Sequence, residues 1–289
     1  MGSVTATQSV SAVRAAQRNR TRALVVPREH GAWGLLFVPL FTGVVVGAAS
    51  AQRIWPLVLF TLVALCLFWL RTPAESLLGT TPLSAQTAEE RRVALLACAG
   101  LALVSGGCLA GLFWNGRNPE LLIFGGVAGL AFASQTLLMK QGRRMRIAAQ
   151  LMGAIGLTST APAAYYVASG HLDLRAWVLW AANWVFAANQ IHYVQLRIHT
   201  VRAATFEEKC ERGWQFFVGQ VLVVMVLMAA VYLRAIPVLV ACAFLPALTR
   251  GLWWFFRPPQ PLQVRSLGWS EMKQGVAFGI LFAVASILV

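Results

Sequence analysis

Nine apolar stretches follow one another along the chain, at roughly 31–50, 54–71, 93–114, 120–139, 147–168, 176–197, 215–233, 235–255 and 273–289. A helix crossing the hydrocarbon core of a bilayer needs roughly 20 such residues, and each stretch comes close to that length. The pattern predicts an all-α, polytopic membrane bundle of about nine helices. Before residue 256 two long polar connections separate spans, Arg71 to Arg92 and Arg197 to Trp214. The division expected is a basic segment over 1–26 and a single transmembrane helical domain over 27–289.

Charge placement adds an orientation. With the N-terminus inside, nine crossings put only Arg53, Arg117, Arg175 and Arg234 outside, and the other 20 of the 24 lysines and arginines inside. A wrong helix count would invert every later loop and spoil this split, so the positive-inside rule supports both count and orientation, with the C-terminus out. The expected location is the cell inner (cytoplasmic) membrane, crossed many times. Trp33, Trp55, Trp69, Trp114 and Trp177 stand near span ends, the level that indole rings favour.

Composition agrees. Of 289 residues, 58% are hydrophobic and 12% charged, against about 25% charged in soluble domains. The net charge of +14 sits in short loops between apolar runs. It therefore reads as orientation and contact with anionic lipid rather than nucleic-acid binding. The five cysteines form no CxxC pair and read as small hydrophobes.

Ionisable groups at a bilayer are costly, and three places carry them. The first is Pro27-Arg28-Glu29-His30-Gly31-Ala32-Trp33, at the mouth of the first helix. The bland reading is a cap with an interfacial anchor, the other a substrate contact through Arg28, Glu29, His30 and Trp33. The second is Arg71 to Glu75. The two are four apart and can pair on a helix, but Pro73 lies between them, so the helix is expected to break or restart there. The third is the end of the sixth span. Asn189, His192, Gln195 and His199 share one helical stripe that Arg202 continues, with Arg197 nearby, and a polar stripe faces protein or water rather than lipid. Interhelical hydrogen bonding alone would explain the stripe, yet His192 and His199 add titratable chemistry. The segment Thr205 to Arg212 reads as a solvated surface turn or helix. In the fifth span, Gly153, Ala154, Gly156, Ser159 and Ala161 would admit close helix neighbours, and Pro162 would bend it. No ligand spacing makes a metal site, haem stays a minor alternative, and no cofactor is assigned.

The segment Pro27 to Trp33, with Leu267-Gly268-Trp269-Ser270-Glu271 before the last helix, resembles the YwiC-like bacterial membrane proteins. That resemblance implies an integral membrane protein and no particular reaction. A second resemblance, of architecture, is to the UbiA-type intramembrane prenyltransferases. They too have nine helices, with Asp-rich motifs after the second and sixth and a cavity open to the cytoplasm. Here those motifs lack their aspartates, since Asp173 is the sole aspartate. The resemblance implies a cytoplasm-facing cavity for an isoprenoid or other lipid-like ligand. Arg28, Arg71, Arg197 and Arg202 would hold its anionic head, and His192, His199 and Glu75 would be the acid–base groups. The alternatives are a transporter or lipid permease using Gln135, Thr158, Ser159, Thr160 and Asn183, and a non-catalytic subunit or assembly factor.

Overall fold

The computed structural model describes residues 17–27, 30–49, 54–80, 83–114, 116 and 119–288. Among them there is no strand. Helix α1 covers residues 17–25. It is followed by α2 (His30–Ala48), α3 (Trp55–Leu78), α4 (Ala88–Trp114), α5 (Pro119–Lys140), α6 (Arg146–Thr158), α7 (Thr160–Ser169), α8 (Leu174–His199), α9 (Phe206–Tyr232), α10 (Val238–Cys242), α11 (Leu245–Phe255) and α12 (Val264–Leu288). Every apolar stretch of the sequence is helical, two of them as broken pairs, α6–α7 and α10–α11. Among the described residues, six helical segments are long and apolar enough to cross a membrane: α3, α4, α5, α9, α10–α11 and α12.

The distribution of apolar surface decides the solvent. Only 11% of the most apolar window of α4 and 17% of that of α9 are buried. Leu103, Leu130 and Met225 are each more than 60% exposed, while Asn183, Gln220 and Lys209 are buried. Water would oppose such an arrangement, whereas hydrocarbon imposes no cost on the exposed leucines. Helices that satisfy their own backbone are also what a bilayer requires.

The chain divides into two compact units. One holds residues up to Glu29 and Val58–Gly116, and the other holds His30–Leu57 and Arg117–Val289. In the first unit, Trp69 of α3 donates its indole N–H to the Val25 carbonyl at the end of α1, at 2.8 Å. Helix α4 starts with a reciprocal cap. The Glu90 N–H donates to Thr87 Oγ1, and the Glu90 carboxylate accepts from the Thr87 and Gln86 N–H groups. The spacing Thr87-x-x-Glu90 is the capping box, and Arg20 of α1 closes it with a 2.6 Å ion pair to Glu90.

The expected break at Pro73 does not occur: α3 continues to Leu78 with the proline inside it. Arg71 and Glu75 form a 2.7 Å ion pair across the proline, and the Ser76 hydroxyl donates to the Pro73 carbonyl. Together they offset the backbone bond the proline removes.

In the second unit α2 packs on α7 and α12, α5 on α6, and α8 on α6, α7 and α9. Phe186, Phe244, Phe278 and Phe282 sit in the main core, with Phe186 and Phe278 stacked at 4.0 Å. The α6–α7 break falls at Ser159, three residues before Pro162, where the missing N–H leaves a turn unclosed. The hydroxyls of Thr158, Ser159 and Thr160 each donate to a carbonyl three or four residues back, so they serve the broken backbone.

The small residues of α6–α7 do admit neighbours. Gly156 lies against Ala131 and Ala128 of α5, and Ala161 lies against Gly43 of α2. Gly43 and Gly47 form a GxxxG pair on α2, the spacing that lets two backbones approach closely. A Cβ at Gly43 would stand 2.2 Å from the Ala161 carbonyl oxygen. Gly43→Ala is therefore expected to cost about 2 kcal/mol through overpacking, read as a lower thermal midpoint in detergent. Gly125→Ala on α5, with nothing within 4 Å, should leave that midpoint in place.

Candidate functional site

Helix α8 has polar residues on more than one face, and each face goes to a different neighbour. Asn189 is buried and accepts a hydrogen bond from Gln220 of α9. His192 is half-buried against α9, where a Cβ at Gly219 would stand 3.2 Å from its Nδ1. Gln195 donates to Gln150 of α6 at 2.9 Å. His199 ends the helix exposed, and Arg202 is exposed in the following turn. The stripe Asn189–His192–Gln195–His199 is thus divided between α6, α9 and solvent.

A second stripe, one residue or about 100° further round, carries Gln190, Tyr193 and Arg197. It faces α11 and α12. Arg250 of α11 donates from Nη2 to Gln190 Oε1 at 2.6 Å, and from Nη1 to Ser270 Oγ at 3.0 Å and Glu271 Oε1 at 2.7 Å on α12. Its guanidinium lies 4.0 Å from the Tyr193 ring centre. Arg197 donates to the Tyr193 hydroxyl at 3.4 Å and lies 4.5 Å from the Trp254 ring. A guanidinium's planar fork suits it to such bidentate and stacked contacts.

Lys209 completes the group: its segment is a helix, one of the two forms expected for it, but Lys209 itself is buried rather than solvated. Residues 206–212 are the first two turns of α9, opened by the Thr-x-x-Glu spacing of a capping box, with the return bond made to the residue before the cap. The Glu208 N–H donates to Thr205 Oγ1, and the Glu208 carboxylate accepts from the Ala204 N–H. Glu208 pairs with Arg212 on the outer side, while Lys209 turns inward and has no exposed surface. Its Nζ donates to the Trp254 carbonyl at 2.6 Å and the Arg257 carbonyl at 2.5 Å, 3.8 Å from the Trp254 ring. It thereby satisfies carbonyls at the C-terminal end of α11, where a cation also meets the negative pole of the helix dipole. Lys209 precedes the apolar run of α9, and burial pushes its ammonium down to about 8.

Three cations, Arg197, Lys209 and Arg250, thus surround Tyr193 and Trp254 with one carboxylate, Glu271, among the described members. Hydrogen-bonding capacity is left over. Arg197 Nε, Arg250 Nε, Gln190 Nε2 and Trp254 Nε1 are buried donors without partners, and Glu271 Oε2 and Gln274 Oε1 are buried acceptors without partners. Buried polar groups are almost always paired, so these six set the group apart from an ordinary packed interface.

The other expected residues have contacts of their own. Arg71 and Glu75 are paired with each other in the first unit. Trp33 stacks on Phe37 of α2 at 5.3 Å. Arg28 and Glu29 fall outside the described residues. His30 begins α2, but its side chain is not among those described. No group of three or more His, Cys, Asp or Glu placed to hold a metal occurs among the described residues.

The fold and its apolar exterior make this chain an integral membrane protein of the multi-pass helical class. Residues 26–165 match the model of the YwiC-like protein family, a stretch that includes the motif Pro27 to Trp33 on which the resemblance was read. No curated protein and no solved structure matches the chain.

Proposed function

We propose that the protein binds a lipid-like molecule, of isoprenoid or phospholipid type, by its anionic head at the Arg197–Lys209–Arg250 group. The observation that carries this reading is the surplus of cationic donors. The cations Arg197, Lys209 and Arg250 gather round two aromatic rings with one carboxylate, Glu271. A phosphate or carboxylate would balance that surplus charge, and charge-assisted bonds to guanidinium are among the strongest available. Arginines can hold such a head without a bridging cation, which suits a chain whose helix ends lack the aspartates of the UbiA-type pattern. On the charge split the head would lie at the cytoplasmic side of nine crossings in the inner membrane, with the tail along the apolar core.

The acid–base roles considered for His192, His199 and Glu75 form no part of the proposal. Glu75 is engaged by Arg71, and His199 lies at the exposed end of α8. The permease alternative loses support because Thr158, Ser159 and Thr160 are hydrogen-bonded to their own helix.

The test is lipid mass spectrometry of the purified protein. Wild type and His199→Ala should carry the same co-purifying anionic-headed lipid, and Arg197→Met should lose at least about nine-tenths of it, since a lost charge-assisted bond is worth ~1.5–3 kcal/mol. Equal lipid in all three would refute the proposal.

A further inference from the structure

Arg20, Arg71, Arg212 and Arg250 each hold a carboxylate, and Lys209 and Arg257 lie against indole rings. The corner between α5 and α6 is different. Lys140, Arg143, Arg144 and Arg146 fall close together there. Lys140, Arg144 and Arg146 are exposed and form no ion pair among the described residues. Their own stretch of chain offers them no partner, since no acidic residue occurs between Glu120 and Asp173. Glu120 stands in the first turn of α5 and Lys140 in its last, about 30 Å apart along the axis.

Backbone geometry gathers these charges. Helix α5 closes at Lys140, and the Gln141 and Gly142 N–H groups donate back to the Leu138 and Met139 carbonyls. Gly142 takes a φ of 100°, which glycine adopts without a steric cost. One tight turn follows over Arg143–Met145, and α6 starts at Arg146 and packs back along α5. Cations from two helix ends thus share one corner. Beside them, Leu130 and Leu137 are 71% and 62% exposed, and their spacing puts both on one face of α5 with Lys140. An apolar stripe open to hydrocarbon therefore runs up to unpaired, water-facing cations. A lipid matches both, with its tail along the stripe and an anionic head at the corner. One phosphodiester carries a single charge and would leave cations uncompensated, whereas two phosphates in one head meet both helix ends at once.

We infer that the α5–α6 corner binds a phospholipid whose head carries two phosphates, of the diphosphatidylglycerol type. Arg144 and Arg146 hold phosphate through charge-assisted bonds, Lys140 adds a point charge, and acyl chain lies on Leu130 and Leu137. Basic clusters at the ends of spanning helices suit such heads. The corner is a separate site from the Arg197 group. Being exposed, it exchanges its lipid with detergent and does not retain it through purification.

Native mass spectrometry of the delipidated full-length protein, titrated with diphosphatidylglycerol, phosphatidylglycerol and phosphatidylcholine, tests this. It is run on wild type and on Arg197→Met, so that the Arg197 group is read separately. In both, diphosphatidylglycerol should bind at least about tenfold more tightly than phosphatidylglycerol, the ratio that ~1.4 kcal/mol produces. Arg144→Gln/Arg146→Gln should weaken it about fivefold for each cation removed, from ~1 kcal/mol per basic side chain at the surface. Arg265→Gln/Lys273→Gln takes the same charge from exposed positions on α12 and should change the affinity by no more than about twofold, because salt screens distant charges. All four positions are exposed, so these substitutions have little bearing on folding. Equal affinity for the one-phosphate and two-phosphate lipids would overturn the inference. Equal losses in the two double variants would do so too, by making net charge the cause. A preference that vanishes in Arg197→Met would move the lipid to the Arg197 group. Displacement by millimolar inorganic phosphate would show that a free anion suffices and would overturn the lipid, while no displacement with the preference intact assigns the corner to it.

Discussion

Lys209→Met lowers the stability of the folded chain by about 3 kcal/mol, because it removes two charge-assisted hydrogen bonds, to the Trp254 and Arg257 carbonyls, at ~1.5–3 kcal/mol each. In a thermal melt in detergent that is a fall of roughly 6–12 °C. The Met side chain is of similar length and fills most of the volume, so the loss reports the hydrogen bonds to Trp254 and Arg257 rather than a cavity. The effect also has a pH signature. Burial holds the folded ammonium near 8, below the ordinary lysine value of 10.5. Between those values the unfolded chain binds more protons than the folded one, so stability from this group rises with pH across that window. A neutral amine keeps two N–H groups and can still reach both carbonyls. The gap between wild type and Lys209→Met should therefore be wider at pH 9.5 than at pH 7. A gap that narrows, or a midpoint within 2 °C of wild type at both pH values, would contradict the assignment.

Arg250→Met is the second large effect. One guanidinium ties α11 to Gln190 of α8 and to Ser270 and Glu271 of α12. Removing one member of a buried ion pair costs ~3–5 kcal/mol, mostly because the other charge is stranded. The arginine and glutamate side chains keep 15% and 16% of their surface, so about 3 kcal/mol is expected. Adding Glu271→Gln removes the stranded charge and should recover at least about 1 kcal/mol. Ligand binding should not recover in the double variant, because the phosphate would still have lost one of its two arginines. Additive losses in the double variant would mean that Arg250 and Glu271 do not act as a pair.

Much of the fold was legible in the sequence because a bilayer makes a simple demand. Apolar stretches of hydrocarbon length must be helical, and every one of the nine is. The limits of the helices were harder to read, for a physical reason. An apolar run ends where polarity begins, but backbone hydrogen bonding continues into the polar turns. Helix α3 runs past Arg71 to Leu78, and α9 and α12 begin at Phe206 and Val264, well before their apolar runs. Those polar turns carry Glu75, Lys209, Ser270 and Glu271. The capping boxes Thr87-Ala88-Glu89-Glu90 and Thr205-Phe206-Glu207-Glu208 mark both helix starts, and they are the signal by which Lys209 could have been placed on a helix.

The candidate site was half legible. Arg197 and its helix stood out, but the polar face singled out on α8 was the one with histidines. The neighbouring set Gln190, Tyr193 and Arg197 has equally good helical spacing. Its partners, Arg250 and Glu271, are brought to it by the packing of α11 and α12, which no local pattern specifies.

The decisive question is whether Arg197 and Arg250 hold a bound molecule. A cryo-electron microscopy map of the full-length protein in nanodiscs made from native lipid would show it. The prediction is a continuous density reaching from the guanidinium groups of Arg197 and Arg250 into the apolar layer, absent from the Arg197→Met protein. No density beyond isolated water-sized peaks there, the same in both proteins, would contradict it.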